Sequence, residues 1–175
     1  MSLVGNEVVP VQGVDGAGRL CSVPEFPTAD LVAGTNNRVL TATFSQASST
    51  AFNNVSGFSV NLVAGGVYSV YGWLHGTAAA SGGIKAALAA VGSLTITSMT
   101  LTAWGYNGST TNGVNTVTAL GSDFVNSAAA YTDIFFQGRI TVSAAGAIQL
   151  QAAQNTSNGT ATTITDGTLE VTRCA

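Results

Sequence analysis

After Pro27 the chain contains no proline, and from position 39 to 122 its only charged residue is Lys85. What fills that stretch is alternation. In VLTATF (39–44), GFSVNL (57–62) and VYSVYGWLH (67–75), apolar side chains recur at every second position. Period two puts alternate side chains on opposite faces of an extended chain, and the β-branched and aromatic residues suit a pleated surface. Glycine pairs at 65–66 and 82–83 punctuate the pattern where the chain must turn. IKAALAAV (84–91) has helix-favouring composition, yet it is short, bounded by glycine and alternates through Ile84, Ala86, Leu88 and Ala90, so it reads as a strand. Further strands are expected at 94–104, 114–120, 131–142, 147–154, 162–164 and 169–173, about ten in all, with no helix of twelve residues. The chain is therefore expected to be all-β, a β-sandwich or jelly roll. In FFQGRITVSAAGAIQL, Gly138 and Gly146 bracket an expected hairpin, with Gly146 at the reversal in a positive-φ conformation.

Composition excludes several functions. Charged residues make up 7% of the 175 residues, against roughly 25% in ordinary soluble domains. The surface must be Ser, Thr, Asn, Gln and Gly. A net charge of -3 with five basic residues offers no track for a phosphate backbone, so nucleic acid is not an expected partner. No window reaches the roughly 18 apolar residues of a membrane span, and Pro10 interrupts the only apolar run near the start, so neither a membrane nor a secretory signal is expected. Synthesis in a reducing cytoplasm makes Cys21 and Cys174 free thiols on the simplest reading, with a disulfide between them as the alternative.

Chemistry is sparse. His75 is the only histidine, so no second imidazole exists to share a metal, and no C-x-x-C pair is present. Asp123 and Asp133 read as solvated strand ends rather than a catalytic pair, and HGTAAASGGIK (75–85) lacks the G-x-x-x-x-G-K-[ST] spacing of a phosphate loop. No catalytic residue, cofactor or metal is expected, and the chain does not read as an enzyme. The aromatic set Tyr68, Tyr71, Trp73, Trp104 and Tyr106 belongs to a core or a subunit interface; the alternative is a sugar-binding surface helped by the loop GYNGSTTNG (105–113).

The segment GNEVVPVQGVDGAGR (5–19) differs from everything after it. All three prolines and six charged residues precede position 39, which sets a boundary between an extended N-terminal arm, 1–38, and a domain, 39–175. The backbone of the VVPV run needs a surface to accept it, as an added strand or extended ligand. Glu7, Val8, Val9, Pro10, Val11, Gln12, Asp15 and Arg19 are the expected contacts, with Gly13, Gly16 and Gly18 letting the arm bend.

Three stretches, GFSVNLVAGGVYSVYGWLH, FFQGRITVSAAGAIQLQAAQNTS and the closing DGTLEVTR, resemble the tumour-necrosis-factor/C1q-like (TNF/C1q-like) jelly rolls of bacteriophage virion proteins. The opening segment resembles the amino-terminal arms of phage head-fibre, decoration and tail-fibre proteins. The resemblance implies a jelly-roll β-sandwich assembled as a homotrimer, with Tyr71 and Trp73 buried around the threefold axis. It also implies a capsid decoration (cement) or head-fibre protein on the virion surface, bound through its arm to the major capsid protein or another virion protein. A tail-fibre tip that binds host-surface glycan is the alternative, although no shaft, repeat or heptad pattern is present.

Overall fold

The computed structural model describes residues 13–14, 20–21, 35–78, 81–107, 111–127 and 132–174. The chain divides into two compact units, Met1–Val32 and Ala33–Ala175. In the first, β1 (Gly13–Val14) pairs antiparallel with β2 (Leu20–Cys21). The second is all strand among the described residues: β3 (Thr35–Val39), β4 (Phe44–Gln46), β5 (Asn53–Leu62), β6 (Val67–Thr77), β7 (Ile84–Val91), β8 (Thr95–Tyr106), β9 (Thr111–Val117), β10 (Val125–Ser127), β11 (Asp133–Ala144), β12 (Gly146–Ala153) and β13 (Thr162–Arg173).

The strands form two antiparallel sheets, one ordered β3-β13-β6-β11-β8-β9 with β4 also on β13, the other ordered β10-β7-β12-β5. Counting β3 and β4 as one interrupted strand and setting the β8–β9 hairpin aside leaves eight strands. In chain order their sheets run one-eight-three-six and two-seven-four-five. First pairs with eighth, second with seventh, third with sixth and fourth with fifth: one long hairpin rolled up on itself. That is the jelly-roll order, with β8 and β9 inserted between the fourth and fifth strands to widen one sheet.

Period-two patterning does the sorting. Along β6, Tyr68, Val70, Gly72 and Leu74 face inward; along β11, Ile134, Phe136, Ile140 and Val142 do the same. They meet Phe58, Leu88, Ile148 and Leu150 of the opposite sheet, all at most 1% exposed. Each such side chain contributes roughly 1.5–3 kcal/mol by leaving water. Among the described residues the buried side-chain polar atoms are paired, save Oε1 of Gln46. Where β5 bulges away from β12, the side-chain amide of Gln149 fills the gap and donates to the carbonyls of Val55 (3.0 Å) and Leu150 (2.9 Å).

Several local expectations are corrected. IKAALAAV is a strand, as its alternation indicates. Within the expected strand at 39–44, residues 40–43 are instead the break between β3 and β4, whereas 162–164 and 169–173 join into the single strand β13 with a bulge between Ile164 and Asp166. Pairing in the sheet begins at Thr35, so residues 35–38 belong to the sandwich although composition changes only at Val39. The hairpin expected around Gly146 does not exist: β11 and β12 lie in different sheets, and the chain crosses between them at Ala145. Gly146 lacks a positive φ. Glycine is required there because a Cβ would sit 2.5 Å from the amide nitrogen of Leu94.

A second close approach lies at the centre of the larger sheet. Gly72 and Phe136 are cross-strand partners, and a Cβ on Gly72 would fall inside the Phe136 ring, which packs against Phe124 at 4.7 Å between centroids. Gly72→Ala is expected to destabilise the sandwich by about 1–3 kcal/mol through overpacking. Phe136→Leu added to it should recover part of the loss, a non-additivity that urea unfolding of both single variants and the double variant measures. Equal and independent losses would mean that the ring does not occupy the space glycine leaves.

Candidate assembly face

The larger sheet turns a second face to solvent, and strand register orders its side chains into rows. The first row is Tyr106, Asp133, His75 and Asp166; the second is Trp104, Phe135, Trp73, Thr168 and Val39. Below them run Thr102, Gln137, Tyr71, Glu170 and Asn37, then Thr100, Arg139, Ser69, Thr172 and Thr35. One half of the face therefore carries aromatic rings, and the other is a lawn of hydroxyls.

The aromatic row is partly covered only by its own members. Trp104 stacks on Phe135 with ring centroids 5.7 Å apart, and Trp73 stacks on His75 at 6.0 Å. Val39 (56% exposed), Tyr71 (41%) and Tyr106 (36%) are three of the five most exposed large hydrophobic residues among those described, and all three lie on this face. A half-exposed patch of several large apolar groups on one rigid sheet is the mark of an interaction surface rather than of scattered surface hydrophobics.

Asp133 fixes the upper edge. Its Oδ1 accepts from Trp73 Nε1 (2.9 Å) and from His75 Nδ1 (3.0 Å), and its Oδ2 accepts from the Thr132 hydroxyl (3.0 Å). Partial burial pushes its carboxyl up, but the hydrogen bonds from His75, Trp73 and Thr132 and the charge of His75 outweigh this and hold its pKa below the ordinary carboxylate value. The bond leaves His75 Nε2 free and pins the indole of Trp73 against the sheet.

Lower down, Val67, Ser69, Ser98, Thr100, Thr102, Gln137, Arg139 and Thr141 line an open groove. It forms because hydroxyl-bearing side chains replace the bulky ones of the aromatic row. Arg139 is its only charge.

Of the residues singled out from sequence, Tyr71 and Trp73 lie side by side on this face, joined by Trp104 and Tyr106. Tyr68 points the other way, buried, its hydroxyl accepting from the backbone amide of Val63 at 2.9 Å. Phe135, Val39, Arg139 and Glu170 were not anticipated; the alternation of DIFFQGR already placed Phe135 in phase with Asp133 and Arg139. The arm contacts Glu7, Val8, Val9, Pro10, Val11, Gln12, Asp15 and Arg19 lie outside the described residues, as does the tip of the loop at 108–110. Cys174 is a free, exposed thiol. No cluster of three or more His, Cys, Asp or Glu side chains suited to a metal occurs among the described residues.

Because the folded pKa of Asp133 is depressed, its stabilising contribution is fully present above the unfolded value of about 3.9 and is lost as pH falls through the folded one. Asp133→Asn should cost about 1 kcal/mol at pH 6, a figure reduced for the exposure of His75. Urea midpoints of the two proteins should converge as the pH falls past the ordinary carboxylate value and on through the depressed one. A difference that stays constant across this range would assign the effect to packing, not to charge.

No family model and no curated protein matches this chain. Among solved structures it is similar to that of infectious bursal disease virus Gt strain, at 15% identity and a TM-score of 0.24 over 94% of this chain and 46% of the other. It is also similar to the infectious bursal disease virus VP2 subviral particle, at 16% identity and a TM-score of 0.22 over 93% and 46%. The chain spans less than half the length of each, and the jelly-roll assignment rests on strand order alone.

Proposed function

We infer that this chain is a bacteriophage virion structural protein, a capsid decoration or head-fibre protein whose jelly roll projects as a homotrimer from the capsid surface. The observation that carries this reading is the aromatic row Trp104–Phe135–Trp73, with Tyr71 beside it and Val39 beyond Thr168, on one sheet face. Turned toward a threefold axis, that face buries its rings against two neighbouring copies, with Tyr71 and Trp73 nearest the axis. The sequence resemblance to phage virion jelly rolls supports the particle, and a chain with only 7% charged residues suits a protein that spends its life packed in an assembly. After synthesis in the host cytoplasm, the segment ahead of β3 tethers each trimer to the major capsid protein or another virion protein through Glu7–Gln12, Asp15 and Arg19. Three such arms on one trimer multiply a weak contact by on the order of 10² to 10⁴.

A second reading has its own observation. Trp73, its indole fixed by Asp133 and flanked by His75, combines a ring platform with polar groups in the way sugar sites do. This favours a tail-fibre tip that binds host-surface glycan.

The two readings separate in solution. On the first, the protein sediments as a trimer at micromolar concentration, Trp73→Ala combined with Phe135→Ala shifts it to monomer, and removal of residues 1–19 leaves a trimer that no longer decorates capsids lacking the protein. A wild-type monomer that binds a glycan array but not bare capsids establishes the second.

A further inference from the structure

Two opposite charges on the assembly face have no partner. Neither Arg139 nor Glu170 makes a hydrogen bond or ion pair with any described residue, although both project from the same sheet. They stand on opposite sides of β6. Arg139 on β11 lies level with Ser69, and Glu170 on β13 lies level with Tyr71. Two strand spacings, about 10 Å, and one two-residue step, about 7 Å, separate their backbones.

Their surroundings differ in shape as well as in sign. Arg139 sits in the groove among Ser69, Thr100 and Thr141, whereas Glu170 is exposed between Thr168 and Thr172 on β13, level with Tyr71 and Asn37. One side of β6 thus carries a base in a groove, the other an exposed acid. When a sheet face turns toward a threefold axis running along its strands, the left half of each copy meets the right half of the next, because the contact is heterologous and closes after three steps. Such an arrangement brings the exposed acid of one copy against the groove-bound base of the next, within the offset an arginine side chain spans. It also sets Trp104 and Phe135 of one copy against Thr168 and Val39 of its neighbour, in the row above. The face from β3 to β8 measures about 24 Å by 27 Å, on the order of 650 Å² shared between two neighbours, so each pairwise contact is small and depends on its charge pairing.

We propose that Glu170 of one copy inserts into the hydroxyl-lined groove of the next and pairs there with Arg139, closing the ring and fixing its register. This rests on the trimeric reading above, and it names the occupant of the groove as a second copy of this chain.

Charge exchange tests it in the full-length chain. Arg139→Glu and Glu170→Arg should each weaken trimer assembly at least tenfold in sedimentation velocity at physiological salt, while the double variant Arg139→Glu/Glu170→Arg returns to within about threefold of wild type. Circular dichroism of each variant checks that the sandwich is intact. If the wild type forms trimers and both single variants do so equally well, the pairing is wrong while the trimeric reading stands. If the wild type is a monomer, that reading fails and the pairing with it. Should Arg139→Glu abolish binding of N-acetylneuraminic acid without changing the oligomeric state, the groove serves an acidic sugar and the proposal is overturned.

Discussion

Strand β6 is hydrogen-bonded along almost its whole length on both sides, to β13 and to β11, and every functional statement about this molecule depends on that double pairing. A central strand held from both sides cannot slip by one residue, because a slip would send Tyr68, Val70 and Leu74 into water and bring Ser69, Tyr71 and Trp73 into the core. The inner face is thereby locked by apolar burial. The outer face inherits a fixed lattice, and the aromatic row, the Asp133 cluster and the offset between Arg139 and Glu170 are all readings of that lattice.

Alternation carried most of the architecture at the level of sequence. It was legible in β5, β6 and β8 because each pairs with a partner across most of its length and buries one side only, whereas β7 buries both faces at Ala86–Leu88. It misled at the edges. Around positions 39–44 the pattern persists although the strand breaks, since Leu40 makes one more bond to Gly167 of β13 and Thr41 then turns to Ser56 of β5, in the other sheet. Which strands share a sheet was likewise not readable: FFQGRITVSAAGAIQL looks like a hairpin, but its halves lie in opposite sheets, a distinction decided by contacts far apart in sequence.

The candidate face shows the same division. Tyr71 and Trp73 could be singled out because two large rings at i and i+2 on a strand must share a side. Phe135, Arg139, Glu170 and Val39 come from three other strands, and only register brings them into the same rows. Gly72 illustrates the reverse case. It looks like a weak point in an aromatic strand, yet it is the opening into which Phe136 packs, so a residue without a side chain anchors the centre of the sheet.

Trp73 and Trp104 are the chain's two tryptophans, and both stand in the aromatic row of the outer face, none in the core. The molecule therefore carries its own optical probe. Indole emission responds to the polarity around the ring, so the intrinsic fluorescence of this protein reports the wetting of a single surface and is nearly blind to the interior. Events at that surface can be followed in unlabelled protein, in solution, by light alone.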